Sequence, residues 1–271
     1  MRSDDGKGVV DRVVEILETF NHEDRLNASQ VSRLSQIPLS TCHRILTALT
    51  GAGLLERHGR DYHVGLRLWE IASHAPRSVG IQRLALPFMH DLLEVTDSPV
   101  HLAVRDGLDA LFIERLTPSG HQYPRPEVGS RYPLHVTAVG LVLLAHAEPA
   151  VQEKYLDQPW RRFTPHTETD PRTIRRLLAD IRTHRFAIAD RQVNPDAVSV
   201  AAPITDSEGA VVAALSVNVP VAQRHEHSLA QAVQTSASSI SRFSATPTPA
   251  PARRRFWSTT ANSRDTEDSS H

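Results

Sequence analysis

The stretch "PLSTCHRILTALTGAGLL", residues Pro38 to Leu55, is the most informative one about the fold of the N-terminal part of this chain. Its apolar residues recur at helical spacing, which predicts a buried face made of Ile45, Leu46 and Leu49. A proline disfavours helix in the residue before it but fits the start of a new helix, and Gly53 suits a helix end. We therefore predict a helix over about residues 39–52 whose opposite face is polar.

The polar face of this helix carries residue types that suit contact with DNA. Ser40 and Thr41 stand at its start, where free backbone N–H groups and partial positive charge favour a phosphate. Their hydroxyls are short enough to reach a phosphate or a base edge, and Arg44 has the geometry for two hydrogen bonds to guanine. His43 lies in the same polar group. The alternative is structural: Ser40 or Thr41 caps the helix, and Arg44 is a solvated surface residue.

Two more helices are predicted before this one. The spacing in "VVDRVVEILETF" (residues 9–20) predicts a helix whose inward apolar stripe consists of Val10, Val13, Val14, Leu17 and Phe20. A short second helix begins near Asn27, where Asn27 or Ser29 can cap it, and it directs Val31 and Leu34 inward.

A hairpin is predicted after the third helix, in "LLERHGRDYHVG" (residues 54–65), where two short strands flank a tight turn at Gly59-Arg60. Three helices followed by a hairpin predict a winged helix-turn-helix, in which the third helix reads DNA and the hairpin is the wing. Arg57 and Arg60 are expected along the DNA backbone or in the minor groove. The alternative is that they are ordinary exposed arginines of a hairpin.

The local charge agrees with a DNA-binding head, although the whole chain has a net charge of −1. Residues 25–67 hold six arginines against Glu56 and Asp61, a balance of +4, whereas residues 1–24 hold three basic residues against seven acidic ones, a balance of −4. Positive charge therefore concentrates on the predicted recognition helix and wing. Such an asymmetry suits a surface that faces DNA phosphates.

The rest of the chain alternates helices with antiparallel hairpins, which predicts an α+β fold. The apolar stretch "LRLWEIA" predicts a short helix that contacts another domain or subunit. The tail is rich in Pro, Thr, Ser and Arg, which predicts disorder. The predicted organisation is a winged helix-turn-helix at residues 8–66, a linker helix at 67–77, an antiparallel sheet domain flanked by helices at 78–243, and a disordered tail at 244–271.

Composition excludes several classes of protein. The chain has no apolar run of about 18 residues and no secretory signal at its start, so we expect a cytoplasmic protein without a membrane span. Cys42 is the only cysteine, which rules out an intrachain disulfide. Beside Ile45 and Leu46, it is predicted to be a packing residue rather than a redox sensor.

Motifs of catalysis are missing from the sequence. It has no glycine-rich phosphate loop, no G-x-S-x-G elbow and no paired His/Glu zinc motif. His225 and His227 resemble a metal-binding pair in composition only, since residues two apart on a helix point to different sides. We therefore expect no enzyme, no metal site and no cofactor, and the neutral chain argues against a DNA-packaging role.

Several stretches, over roughly residues 8 to 243, resemble the IclR family of bacterial transcriptional regulators. They are "PLSTCHRILTALTGAGLLER", "YHVGLRLWEIA", "TDSPVHLAVRDG", "VGSRYPLHVTAVG", "RFTPHTETDP" and "VAAPITDSEGAVVAALSVNVP". The resemblance implies that the winged helix binds double-stranded operator DNA as a homodimer or a dimer of dimers. It also implies a C-terminal GAF-like domain that binds a small organic effector.

The predicted effector site combines this resemblance with strand geometry. Alternate residues of a strand share a face, so Ser216 and Asn218 lie on one side of "AVVAALSVNVP", with Ser199 on the neighbouring strand and Val139 in an apolar wall. These groups suit a ligand that accepts hydrogen bonds. A carboxylic acid, and by the family's habits an aromatic one, is the expected class. The alternative is that Ser216 and Asn218 bond each other or the backbone at a strand end.

A second polar stretch, "GHQYPRPEVGSRYPLHVTAVG" (residues 120–140), precedes the wall of this site. His121 and Arg125 are unusual choices there, and either one can pair with a carboxylate ligand; the alternative is a solvated loop. Gly129 and Gly140 imply a tight backbone. His135 is predicted to be a buried hydrogen-bonding residue rather than a ligand contact.

The resemblance is incomplete at the effector site. Where family members commonly carry an acidic pair, this chain has Ala189 at the first position and only Asp190 remains. Ser199 replaces a common cysteine, Ser216 matches a pocket serine, and Asn218 replaces a second serine. The site keeps polar character but loses an acid. We expect a ligand-responsive DNA-binding regulator, and the runner-up is a regulator whose C-terminal domain only oligomerises.

Overall fold

The computed structural model describes residues 8–21, 23–75, 79–120, 126–223 and 225–244. In the N-terminal domain the elements are α1 (Val9–Glu18), β1 (Leu26–Asn27), α2 (Ala28–Ser35), α3 (Leu39–Gly51), β2 (Leu55–His58) and β3 (Asp61–Val64). The strands form an antiparallel sheet of order β1-β3-β2, in which His58 lies opposite Asp61 across the turn. The prediction of a winged helix-turn-helix is confirmed, and β1 is an addition that we did not predict.

Local capping explains where α2 and α3 begin and end. The Asn27 side chain accepts hydrogen bonds from the backbone N–H groups of Ser29 and Gln30, as expected for a helix cap. Helix α3 begins directly after Pro38 and is followed by Gly53 at φ 72°. The Leu54 N–H then donates to the Leu49 carbonyl at 2.9 Å, which ends α3 with a left-handed glycine motif.

The core of this domain corrects two predictions of burial. Ile16 and Phe20 are buried, whereas Val10 is 74% exposed and Val14 46% exposed, so the inward face of α1 is rotated from the predicted stripe. Leu34 is also exposed, although Val31 on the same helix is fully buried. Two overlapping apolar stripes on a short helix have similar spacing, and only the direction of the neighbouring helices decides which one meets the core.

The second part of the chain forms one antiparallel sheet with helices on both faces. Its elements are α4 (Leu66–Ala72), α5 (Val79–Thr96), β4 (Val100–Asp106), β5 (Asp109–Leu116), β6 (Arg131–Pro133), α6 (Ala138–Ala145), α7 (Pro149–Leu156), α8 (Pro171–His184), β7 (Ala187–Asp190), β8 (Ala197–Thr205), β9 (Val211–Pro220) and α9 (Glu226–Ser244). The strand order is β6-β5-β4-β9-β8-β7, and every pair is antiparallel. The predicted α+β fold is confirmed, while β6, β7 and α7 were not predicted.

Each face of the sheet has its own apolar core. Helices α5 and α9 cover one face, and α6, α7 and α8 contribute to the core of the other. All residues of α6 are buried, and the strands beneath it carry small side chains, namely Ala103, Ala187, Ala201 and Ala214. Small residues allow a helix to approach a sheet closely. Gly140 extends this close packing, because the Leu134 carbonyl lies against the position that a side chain would occupy.

No helix within the described residues has the combination of length and apolar character that crossing a membrane requires. From residue 245 onward, the predicted tail lies outside the described part of the chain, as do residues 76 and 77 of the predicted linker.

Candidate functional site

Helix α3 divides cleanly into a buried and an exposed face. Cys42, Ile45, Leu46 and Leu49 are buried in the core of the winged helix. Ser40, His43 and Arg44 are exposed, and Thr41 is half-buried. Since residues three and four apart share a helix face, Ser40, His43 and Arg44 form one continuous polar surface. Helices that read DNA present a polar surface of this kind to the major groove.

The capping alternative for Ser40 and Thr41 does not agree with the structure. The residue before α3 is Pro38, and no side chain caps this helix. Within the described residues, the two hydroxyls make no hydrogen bond to the protein. Both hydroxyls can therefore bond to a group outside the protein. They stand at the start of α3, where the first backbone N–H groups also have no acceptor within the helix.

The wing holds its two arginines differently. Arg57 donates from Nε to the Gly59 carbonyl at 2.9 Å, and its guanidinium lies 5.6 Å from the centre of the Tyr62 ring. Arg57 thus stiffens the hairpin with part of its side chain. Arg60 is exposed in the turn at the tip of the wing. The tip is therefore the more open of the two positions for contact with a phosphate.

Cys42 is a packing residue, as predicted. Its side chain is fully buried, and its Sγ donates to the Ile37 carbonyl at 3.5 Å. The thiol thereby links α3 to the turn that precedes it.

In the sheet domain, a cavity of about 390 Å³ lies on the face shared with α6. The described residues that line it are Phe112, Pro126, Tyr132, Val136, Thr137, Ala138, Val139, Ala189, Gln192, Val193, Asn194, Pro195, Ala197, Ser199, Ser216 and Asn218. Four of the five residues predicted for the effector site, Ser199, Ser216, Asn218 and Val139, meet here. The fifth, His121, lies outside the described residues.

The sheet register explains why these side chains converge. Ser199 of β8 lies opposite Asn218 of β9 and, on its other side, opposite Ala189 of β7. Ser216 shares the face of Asn218 because it lies two residues away on the same strand. Opposed residues of adjacent strands direct their side chains to the same face. The three polar side chains therefore form one group at the end of the sheet.

The side chains of Ser199, Ser216 and Asn218 make no hydrogen bond to any other described residue. The alternative that Ser216 and Asn218 bond each other or the backbone is thus not what the structure has. Ser216 is only 2% exposed, so its hydroxyl faces the cavity rather than bulk water. A buried polar group without a protein partner favours a hydrogen-bonding ligand or water.

The start of α6 forms another part of the cavity wall. Thr137 caps this helix by accepting a hydrogen bond from the N–H of Gly140 at 3.0 Å. The N–H groups of Ala138 and Val139 precede the first helical hydrogen bond, and both residues line the cavity. A helix start carries partial positive charge, which favours a carboxylate.

No charged side chain lines the cavity among the residues that the structure describes. Ala189 faces the cavity, whereas its neighbour Asp190 points to the other side of β7 and accepts two hydrogen bonds from Arg191, each 2.8 Å long. The Asp190 carboxylate is therefore directed away from the cavity, and its charge is balanced by the Arg191 guanidinium. A bound carboxylate would meet hydrogen-bond donors without a like charge beside it.

His135 is a buried hydrogen-bonding residue, as predicted. Its Nδ1 lies 2.7 Å from the Tyr155 hydroxyl, which also accepts the His135 backbone N–H at 3.1 Å. The imidazole stacks on Trp160 at 4.8 Å between ring centres. Burial lowers the pKa of His135 to about 4, so the ring is neutral at physiological pH. It fixes the segment just before Val136 and Thr137 in the cavity wall.

The resemblance pointed to the segment around Ala189 and Asp190, but the residues of the loop that follows were not predicted to line the cavity. Gln192 and Asn194 line the cavity from this loop, and Phe112 and Tyr132 supply aromatic walls from β5 and β6. The loop follows β7, a strand that was itself not predicted. A polar "DRQVN" run (residues 190–194) directly after an apolar "FAIA" run (residues 186–189) was the available signal.

An exposed recognition helix with a wing, followed by a sheet domain with its own cavity, defines a DNA-binding transcriptional regulator. Residues 9–59 match the IclR helix-turn-helix domain, and residues 73–242 match the bacterial transcriptional regulator IclR C-terminal domain. The chain belongs to the IclR family of bacterial transcriptional regulators.

Known proteins resemble the chain over most of its length. An IclR homolog from Microbacterium hydrocarbonoxydans, solved in complex with 4-hydroxybenzoate, is 34% identical with a TM-score of 0.82, covering 88% of this chain and 99% of that one. The HTH-type transcriptional regulator BhcR of Paracoccus denitrificans is 30% identical over 225 residues, 80% of each protein. The HTH-type transcriptional regulator XynR of Escherichia coli is 28% identical, covering 77% of this chain and 84% of that protein.

Proposed function

We propose that this IclR-family regulator changes its affinity for operator DNA when a small aromatic carboxylic acid binds the cavity of its sheet domain. The observation that carries the proposal is the composition of that cavity. Apolar and aromatic walls, here Phe112, Tyr132 and Val139, surround a few convergent polar groups, which is the usual construction of a small-molecule site.

The chemistry of the polar groups supports an acid as the ligand. Ser199, Ser216 and Asn218 have hydrogen-bonding capacity that no described protein group uses, and the start of α6 adds backbone N–H groups with partial positive charge. A carboxylate accepts several such bonds, and bonds to an ionised acceptor are roughly twice as strong as neutral ones. The similar IclR homolog that was solved with 4-hydroxybenzoate supports the aromatic class.

On the DNA side, we propose that Ser40, Thr41, His43 and Arg44 contact the major groove. Arg60, with the remaining exposed part of Arg57, contacts the backbone beside it. The exposure of these residues and the local charge balance of +4 over residues 25–67 support this assignment. Because binding of this kind takes place where chromosomal DNA is, we propose a cytoplasmic location.

We also propose that two copies bind one operator. A single winged helix covers less surface than tight specific binding requires, so paired heads read half-sites about one helical turn, or a multiple of it, apart. The exposed apolar residues of α4, Leu66, Trp69 and Ile71, support a contact between copies. A dimer or a dimer of dimers satisfies this requirement.

The test of the effector site is the double variant Ser216→Ala/Asn218→Ala. Operator binding is measured by fluorescence anisotropy with and without 4-hydroxybenzoate and a panel of other aromatic acids. The double variant is expected to bind the operator as the wild type does and to lose the response to the acid. Ser238→Ala, an exposed serine on α9, is the matched control. A double variant that responds at the wild-type acid concentration would place the ligand elsewhere.

The same experiment separates the proposal from the runner-up, in which the sheet domain only oligomerises. Under the runner-up, no acid of the panel changes operator binding or raises the melting temperature of the wild type. A ligand that binds the folded state at a hundred times its Kd stabilises it by about 2.7 kcal/mol, which a thermal-shift screen detects.

A further inference from the structure

The loop of residues 191–195, here called the cavity loop, is held by a second loop far away in sequence. The Thr164 hydroxyl donates to the Arg191 carbonyl at 2.6 Å, and the Thr167 hydroxyl donates to the Gln192 carbonyl at 2.6 Å. Both threonines are buried, with 6% and 2% of their surface exposed. Two buried hydroxyls therefore hold consecutive carbonyls of the cavity loop.

The two hydroxyls are themselves oriented by their own turn. Thr167 Oγ1 accepts the backbone N–H groups of Phe163 at 3.0 Å and of Thr164 at 2.9 Å, and Thr164 Oγ1 accepts the N–H of His166 at 3.1 Å. Because a hydroxyl has a single proton, these acceptor contacts direct that proton toward the cavity loop. Thr164 and Thr167 form a pre-organised clasp.

The clasp holds the cavity loop at a residue with an unfavourable backbone conformation. Arg191 has φ 55°, in the left-handed region that non-glycine residues rarely adopt. Such a conformation persists only where the surroundings determine it, and it is common at ligand sites. The bonds from Thr164 and Thr167 fall on Arg191 and on the next residue, so they hold the chain where it leaves β7.

The side chain of Gln192 is fixed by the same pair of loops. Its Oε1 accepts a hydrogen bond from the backbone N–H of Glu168 at 2.8 Å. The amide is planar, so this bond also sets the direction of Nε2, whose two protons make no hydrogen bond to any described residue. Gln192 lines the cavity, and its Nε2 is a donor that no described protein group uses.

The place where the cavity loop leaves the sheet indicates which end of a ligand Gln192 meets. Ser216 lies on β9, and the cavity loop leaves β7, two strands further along the sheet. Neighbouring strands are about 4.8 Å apart, so the backbones of β9 and β7 are roughly 10 Å apart. An aromatic acid with its carboxylate near Ser216 and its ring directed across the sheet toward β7 would bring its remote end to the side from which the cavity loop, with Gln192, lines the cavity.

We propose that Gln192 is a specificity-determining residue that donates from Nε2 to an oxygen substituent remote from the ligand's carboxylate, and that Thr164 and Thr167 are positioning residues that hold it there. This inference rests on the proposed function, since it names the feature of an aromatic acid that the cavity selects. It also makes the cavity loop, rather than the strands alone, responsible for choosing among acids of similar size.

The ligand test compares 4-hydroxybenzoate with benzoate by isothermal titration of the full-length protein. The wild type is expected to bind 4-hydroxybenzoate roughly three- to tenfold more tightly, the contribution of one neutral hydrogen bond. Gln192→Leu is expected to abolish that preference, so that 4-hydroxybenzoate and benzoate bind with equal affinity. If Gln192→Leu weakens both acids equally, or neither, the specificity role is overturned.

The clasp test needs no ligand. Hydrogen–deuterium exchange of the free protein is expected to be roughly tenfold faster at the backbone amides of residues 191–194, 196 and 197 in Thr164→Val/Thr167→Val than in the wild type, because two hydrogen bonds are lost. Thr164→Ser/Thr167→Ser keeps both hydroxyls and is expected to restore slow exchange and the preference for 4-hydroxybenzoate. Thr183→Val, on the exposed side of α8, is the matched control. Unchanged exchange in the valine variant would overturn the clasp.

The two failures are distinguishable. A wild type that binds neither acid contradicts the proposed function, and with it the ligand role of Gln192, whereas the exchange measurement still decides the clasp. A wild type that binds both acids equally sustains the proposed function and overturns only the specificity role.

Discussion

Ser199 and Asn218 lie directly opposite each other on β8 and β9, and both side chains line the same cavity. Their strands are joined by a turn near residues 206–210, so the register of one hairpin brings the two polar groups together. A one-residue shift of that register would turn one of them to the opposite face of the sheet. The polar end of the cavity therefore depends on the pairing of β8 with β9.

Arg44→Ala is expected to weaken specific operator binding by about 1–3 kcal/mol, the contribution of a good contact to a base edge. The reason is its exposed position on α3, on the same face as Ser40 and His43. Specific and random duplexes are compared by fluorescence anisotropy at one salt concentration, with Arg176→Ala on α8 as the control for removing an exposed arginine. An equal loss on both duplexes would make Arg44 a phosphate contact, and no loss would remove it from the interface.

Trp69→Glu is expected to weaken self-association, because Trp69 is 69% exposed in the single chain and a tryptophan at an interface carries much of its binding energy. Light scattering and sedimentation measure the effect, and the dimer dissociation constant should rise roughly ten- to hundredfold. Operator binding should weaken with it. Val128→Glu, which adds the same charge at another exposed apolar residue, is the control. A wild type that binds DNA as a monomer would contradict the dimer.

Gly140→Ala is expected to destabilise the protein by about 1–3 kcal/mol, as overpacking does in a close-packed core. A methyl group there would lie 2.4 Å from the Leu134 carbonyl oxygen and 2.7 Å from Thr137 Oγ1. Gly80→Ala, in α5, meets no atom within 4 Å and should gain up to about 1 kcal/mol through higher helix propensity. Urea unfolding measures both variants, and equal effects of the two substitutions would contradict the argument.

Stability is expected to fall as the pH drops from about 6.5 toward 4, because of His135. Burial lowers the pKa of His135 to about 4 in the folded protein, so below pH 6.5 the unfolded chain binds a proton that the folded one does not. The contribution of neutral His135 to the free energy of unfolding is present above pH 6.5 and is lost between about pH 6.5 and pH 4. Its magnitude is about 1–3 kcal/mol.

Urea unfolding at pH 7.5 and pH 5 measures this dependence. The variant His135→Gln should lose less stability over the interval than the wild type does. The pKa of His146 is also lowered by burial, but this residue is present in both proteins, so the difference between them isolates His135. An identical pH dependence in the two proteins would show that His135 does not carry the effect.

Much of the fold and of both sites was predictable from local pattern. The periodicity around Ile45 and Leu46 and the glycine turn of the wing predicted the winged helix, because such signals act over a few residues. Strand alternation placed Ser216 and Asn218 on one face for the same reason. The polar, exposed face of α3 was predicted as the face opposite its buried apolar residues.

The errors arose where distant segments decide the result. Helix α1 has two possible apolar stripes, one with Val10 and Val14 and one with Ile16. The packing of α2 and α3 against α1 determines that Ile16 is the buried one. Strand β7 is short, and it is recognisable only through its pairing with β8.

The local conformations, the polarity of each face and the identity of the polar groups follow from the amino-acid sequence, since these depend on spacings of two to four residues. Which groups share the cavity depends on contacts between distant segments. The bond from Thr164 to Arg191 joins residues 27 positions apart, and the orientation of Gln192 depends on Glu168, 24 positions away. Contacts between residues so far apart in sequence depend on how the loops pack against the sheet, and a pattern over a few residues does not predict that packing.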